Sequence, residues 1–167
     1  MSQSSNWHEA YIGLGSNLDA PLQQVRTAAQ EITALPGIRE SRLSPLYSSH
    51  PVGPQDQPDY INAVMRIRTN HSPLDLLRQL QAIENQHGRL RSTRWGARTL
   101  DLDLLLYDDL ILNEPDLIVP HPELANRAFV LYPLADIAPT DLQIAGKGSL
   151  GKLLANCAAD GIRRIEP

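Results

Sequence analysis

"RWGARTLDLDLLLY", residues 94–107, turns from a charged loop into a strict alternation of Leu100, Asp101, Leu102, Asp103 and Leu104. A period of two is the mark of a half-buried strand, and it excludes a helix. Leu100, Leu102, Leu104 and Leu106 then point to one face, and Asp101 and Asp103 to the other. Two carboxylates on one face, about 7 Å apart, repel unless something cationic lies against them. A hard divalent cation such as Mg²⁺ answers that need, because it takes one or two protein carboxylates and fills its other positions with water and phosphate oxygens. A structural network of ion pairs with nearby arginines answers it equally well, so the aspartates alone leave both readings open.

Working outward, residues 10–14, "AYIGL", read as an earlier strand that ends at "GSN". Asp19-Ala20-Pro21 is expected to start a helix with Asp19 as its cap. Leu22, Val25, Ala28, Ala29 and Ile32 follow at helical spacing, up to the "PG" at 36–37. An extended stretch over 38–49, a proline-rich loop and a strand over 60–69 come next. Ser72-Pro73 signals a second helix, whose apolar face is expected to be Leu74, Leu77, Leu80 and Ile83, with Gly88 as its stop. The order β-α-β-β-α-β is that of a ferredoxin-like α+β sandwich. Beyond it the sequence predicts a short extra strand pair after Asp109, a helix over 127–137 and another over 149–158.

Composition narrows the function classes. The 167 residues are 42% hydrophobic and 20% charged, with a formal net charge of −4. That is an ordinary globular composition for a single domain, with residues 1–9 as a loose extension. An acidic balance argues against a general nucleic-acid binder. Residues 1–9 carry neither a basic region nor an apolar run, so no signal peptide is expected, and no stretch approaches a membrane span. A lone cysteine, Cys157, allows no internal disulfide and reads as a small filler. A cytoplasmic monomer is the expectation.

Arg89, Arg91, Arg94 and Arg98 crowd one loop just before the aspartates. The guanidinium fork suits phosphate oxygens, and phosphate-binding arginines beside metal-binding carboxylates point to a nucleotide site. No GxxxxGK[ST] loop, HExxH motif or Cys/His cluster of zinc spacing occurs. "GLGSN" at 13–17 reads as a strand-to-helix turn rather than a dinucleotide fingerprint. Tyr60, Asn62 and Phe129 are either core residues or parts of a ligand slot, whereas Trp95 in a charged loop reads as a ligand cover. His121, fixed between two prolines, suits a neutral donor to a phosphate or base, or a structural role. Gln81 and Glu84, three apart on the second helix, are expected on one exposed face.

Several stretches carry a family resemblance: "YIGLGSN" at 11–17, "VGPQDQPDYINAV" at 52–64, "RWGARTLDLDLLLY" at 94–107 and "VPHPELANRAFVLYPLADIAP" at 119–139. In this order and spacing the chain resembles the 6-hydroxymethyl-7,8-dihydropterin pyrophosphokinases of folate biosynthesis. The resemblance implies transfer of a pyrophosphoryl group from ATP to the pterin hydroxymethyl oxygen, with release of AMP. It implies two Mg²⁺ ions held by Asp101 and Asp103, and Arg89 and Arg98 as the arginines nearest the chemistry. Tyr60 and Phe129 would sandwich the pterin and Asn62 would read its edge, with backbone groups near Ser49 and Val52 and with Trp95 completing the pterin site. The ATP positions would be Gln81, Glu84, Arg91, Trp95, Arg98, Leu104, His121 and Arg127. The loops around 50–58 and 88–98 resemble the family's mobile lids. Ser92 stands where some members carry a basic residue, and Ile118 where some carry threonine.

Two other classes are open to the same residues. A nucleotide-binding regulatory module would share the fold but would have no need of the metal pair combined with Arg98. A metal-dependent phosphohydrolase would share the carboxylates but would have no use for an aromatic slot at Tyr60, Asn62 and Phe129.

Overall fold

The structure, a computed structural model, describes residues 7–49, 59–88, 100–159 and 161–165. Strand β1 (His8–Ser16) starts inside the stretch expected to be a loose extension, because His8 and Glu9 already pair with Thr69 and Arg68. Helix α1 (Pro21–Thr33) follows, with Pro21 at its first turn. Asp19 does not cap it. Asp19 and Ala20 both take positive φ (56° and 61°), so a left-handed turn, not a side-chain oxygen, opens the helix.

The extended stretch divides into β2 (Ile38–Leu43) and β3 (Tyr47–Ser49), and both pair with β4 (Tyr60–Thr69). They act as one interrupted strand. Helix α2 (Pro73–Gln86) is capped by Ser72, whose hydroxyl accepts from the Asp75 N–H at 3.2 Å. Its buried face keeps Leu80 and Ile83 of the expected one but adds Leu76 and Glu84, while Leu77 is only partly buried and Leu74 is 43% exposed. Strand β5 (Asp101–Tyr107) closes the ferredoxin-like core on the far side of β1.

After β5 come a hairpin of β6 (Leu112–Glu114) and β7 (Leu117–Val119) and helix α3 (Ala128–Ile137). A second small hairpin, β8 (Gln143–Ile144) and β9 (Gly148–Ser149), leads into α4 (Leu150–Ala155) and then β10 (Ile162–Arg164). The tail helix is shorter than expected, and β10 was not anticipated. It adds to β3, giving a six-stranded antiparallel sheet in the order β10-β3-β4-β1-β5, with β2 beside β4.

Helices cover both faces of this sheet. Ile12, Leu14, Met65, Leu100, Leu102 and Leu104 pack against Val25, Ile32, Leu76 and Leu80 of α1 and α2. Tyr11, Val64, Leu105 and Leu106 pack against Val130, Leu131 and Leu134 of α3 on the other side. Leu106 thus leaves the face its alternation predicts. The register passes from Tyr11–Leu106 to Ile12–Leu104, and the extra residue, Leu105, turns the rest of the strand over. The outer edge of β5 is covered too: the Glu84 carboxylate accepts from the Leu102 N–H at 2.7 Å, and the His121 N–H donates to the Leu105 carbonyl at 2.9 Å.

Candidate active site

Residues directly opposite each other in an antiparallel sheet project to the same face. Since Ala10, Ile12 and Leu14 fill the core under α1 and α2, Gly13 and Gly15 lie on the α3 face. The register sets Gly15 between Asn62 and Asp101, and Gly13 between Val64 and Asp103. Across β3 and β10 the first row continues to Tyr47 and Arg164. Each aspartate therefore faces a position with no side chain, and space opens beside the carboxylates. "GLGS" is strand rather than turn, and its two glycines are the floor of the site.

That space is a cavity of about 860 Å³. Asp101 and Asp103 line one end; Ser49, Tyr60, Asn62 and Phe129 line another, and Arg127 stands at the start of α3. Asn62 is 5% exposed, and its amide donates to the Ser49 hydroxyl at 2.7 Å. The Ser49 side chain, and not only its backbone, thereby fixes the direction of the carboxamide. The Arg127 guanidinium lies 5.5 Å from the centroid of the Phe129 ring, within cation–π range.

His121 borders the same charges. Burial pushes its pKa down, opposed by the nearby Asp103 carboxylate. Its Nδ1 lies 3.1 Å from the Glu123 N–H, which it accepts. In the neutral ring that leaves Nε2 as the donor, the form a phosphate oxygen calls for. Among the described residues no cluster of three His, Cys, Asp or Glu side chains could hold a metal by itself. Two carboxylates on an open cavity fit an ion whose remaining ligands come from water and phosphate.

The other nucleotide candidates divide between the two faces. Leu104 lies in the core under α2, and Gln81 accepts from Arg78 at 3.2 Å. Glu84 is not on the exposed face expected of it: it is 4% exposed and bonded to the β5 backbone. Removing that acceptor leaves the buried Leu102 N–H without its carboxylate, at a cost of about 1.5–3 kcal/mol for a bond to a charged group. Glu84→Ala is expected to lose that much stability in urea unfolding and Glu84→Gln, which keeps an acceptor, distinctly less. Equal losses would refute the edge-capping role. Val52, Arg89, Arg91, Trp95 and Arg98, with Arg94 and Ser92, lie outside the described residues.

The described residues thus build a ferredoxin-like core whose cavity brings Asn62, Asp101 and Asp103 together. Comparison with known proteins supplies the class. The profile of the 7,8-dihydro-6-hydroxymethylpterin-pyrophosphokinase (HPPK) family matches residues 11–139. A 2-amino-4-hydroxy-6-hydroxymethyldihydropteridine pyrophosphokinase of Pseudomonas aeruginosa is 51% identical over 155 residues, 93% of this chain and 95% of that one. The Haemophilus influenzae protein of the same name is 46% identical over 158 residues, 95% and 98% of the two chains. Among solved structures, wild-type Plasmodium falciparum HPPK-DHPS with pterin and p-hydroxybenzoate superposes with a TM-score of 0.73 at 14% identity. That match takes in all of this chain but 46% of the longer one, and it speaks for the fold alone. The chain belongs to the HPPK family. It is an enzyme, a pyrophosphokinase.

Proposed function

We propose that the chain transfers the pyrophosphoryl group of ATP to the hydroxymethyl oxygen of 6-hydroxymethyl-7,8-dihydropterin, in the cytoplasmic synthesis of folate. The hydroxymethyl oxygen attacks the β-phosphorus and loses its proton, an O–P bond forms, and the bond from the α–β bridging oxygen to that phosphorus breaks to release AMP. The observation that carries this reading is the cross-strand row: Asn62 and Asp101 flank Gly15, so the amide that would hold a flat polar ring and the carboxylate that would serve phosphates share one cavity.

Tyr60 and Phe129, both lining that cavity, would take the ring between them, with Asn62 aimed by the Ser49 hydroxyl. Arg127 would meet the phosphates from the start of α3, and the Nε2–H of His121 would donate to one of their oxygens. Gln81, Glu84 and Leu104 would flank ATP across the edge of β5. Arg89, Arg91, Trp95 and Arg98 are assigned to substrates by family resemblance. Asp101 and Asp103 would hold two Mg²⁺ ions, which when bound neutralise phosphate charge and make a coordinated hydroxyl more acidic.

The deciding experiment supplies ATP, Mg²⁺ and the pterin and follows nucleotides by chromatography. AMP that forms only with the pterin present is the expected result. ADP and phosphate formed without pterin would make the chain a hydrolase, and bound but unconverted ATP would make it a binding module. Phe129→Ala tests the slot. Stacking of a flat heterocycle on an aromatic ring contributes about 1–3 kcal/mol, or roughly 5- to 150-fold in affinity. The KM for pterin is expected to rise within that range, with the KM for ATP changing less than about twofold on the same scale. Equal changes in both would show Phe129 to be core.

A further inference from the structure

The cross-strand row that ends at Asp101 begins at Arg164, on β10, beyond the last residue that the family profile matches. Strand β3 is only three residues long, and it carries Ser49, the residue that aims Asn62. With β4 alone beside it, so short a strand would be weakly held. Strand β10 supplies the second neighbour: Ile162 stands opposite Ser49 and Arg164 opposite Tyr47. Gly161 and Ile162 also line the cavity beside Ser49.

Three side chains bind β10 to the rest of the fold. The Tyr47 hydroxyl donates to one carboxylate oxygen of Asp136 on α3, and Arg164 Nη2 donates to the other at 2.7 Å. The Arg164 guanidinium also reaches the Tyr47 oxygen at 3.4 Å. Burial, with Asp136 beside it, pushes the Tyr47 phenol up, so it stays protonated as the donor. Half of the Arg164 side chain is in water, but its partner Asp136 is only 19% exposed. A carboxylate so enclosed is screened less than one of an open surface pair.

We propose that Arg164 is a positioning residue for the ring-binding end of the cavity: through Asp136 and Tyr47 it seats β10 against β3 and so fixes the Ser49–Asn62 pair. The proposal rests on the reading that this end receives the pterin. Its effect is confined there, because Asp101 and Asp103 are placed by β1 and β5, neither of which pairs with β10.

The test uses the full chain with Arg164→Ala, Arg164→Lys and Tyr47→Phe. Steady-state kinetics in both substrates are combined with a titration of pterin in the presence of Mg²⁺ and a non-reacting ATP analogue. For Arg164→Ala, losing a charge-assisted bond to a mostly buried carboxylate is expected to raise the pterin KM and dissociation constant about tenfold. The KM for ATP and kcat should stay within about twofold, and Arg164→Lys should recover a substantial part of the loss. An unchanged pterin constant, or equal weakening of both substrates, overturns the proposal. Tyr47→Phe removes one hydroxyl from a packed ring and keeps the question answerable if Arg164→Ala does not fold. About a threefold rise in the pterin constant supports the latch, and no rise refutes it. Failure of the unmodified chain to form AMP would count against the proposed reaction instead, and the pterin titration would still decide the role of Arg164.

Discussion

Asp101→Ala and Asp103→Ala are each expected to lower turnover by more than about a thousandfold, with the fold intact. Losing a single oxyanion donor costs about 10²–10³ in rate, and a ligand that places cationic charge on the transferring phosphates carries at least that share. The fold should tolerate the change for a reason visible in the sheet. Both side chains face the cavity from an edge strand, opposite Gly13 and Gly15, and neither belongs to the apolar core under α1 and α2. Removing one of two like charges about 7 Å apart also relieves a repulsion. Without Mg²⁺ and ATP, the melting temperature of Asp103→Ala is therefore expected to equal or exceed that of the parent chain. The further rise that Mg²⁺ and ATP give the parent should be lost. Near-normal turnover in both variants would sink the two-metal assignment.

The features of this architecture that could be read in the sequence are those that depend on local periodicity. Alternation over Leu100–Leu104 and helical spacing from Val25 to Ile32 each involve one element, and both describe the observed core. Readings that need a second element fare worse. Leu106 changes face because β5 holds one residue more than β1 opposite it, a mismatch that no single strand reveals. Helix α2 offers Leu74, Leu76, Leu77 and Leu80, and two overlapping apolar faces can be drawn through them; contact with β5 selects the one containing Leu76 and Glu84. Strand β10 has a short, charged sequence, "IRR", and becomes a strand because β3 has a free edge. The aspartates were evident because their alternation is unusual. Gly13 and Gly15 were not, although the same rule applied to β1 puts Tyr11, Gly13 and Gly15 on one face and leaves the last two without side chains.

Gly15→Val is the sharpest test of that floor. Gly15 does not require glycine for its backbone: its φ is not positive, and valine favours strands. What it requires is space. A Cβ there would lie 3.2 Å from Asn62 Oδ1 and 4.0 Å from Tyr60 Cδ1. Asn62 has little room to yield, being buried, bonded to Ser49 and flanked on its other side by Tyr47. Valine adds two methyl groups beyond that Cβ, between the amide proposed to read the pterin and the carboxylate proposed to serve ATP. Overpacking of this kind costs about 1–3 kcal/mol, to which the lost amide contacts add, so the pterin KM is expected to rise about a hundredfold or more. Gly13→Ala is the matched control. The atoms nearest its Cβ would be Leu105 carbons at 3.5–3.6 Å, an ordinary contact, and the pterin KM should change less than about threefold. If Gly15→Val bound pterin as well as the parent, the ring could not lie beside Asn62, and the assignment of Tyr60 and Phe129 to its faces would fail with it. A loss shared equally by Gly13→Ala would locate the damage in β1 or in the floor that both glycines form, and not at Asn62.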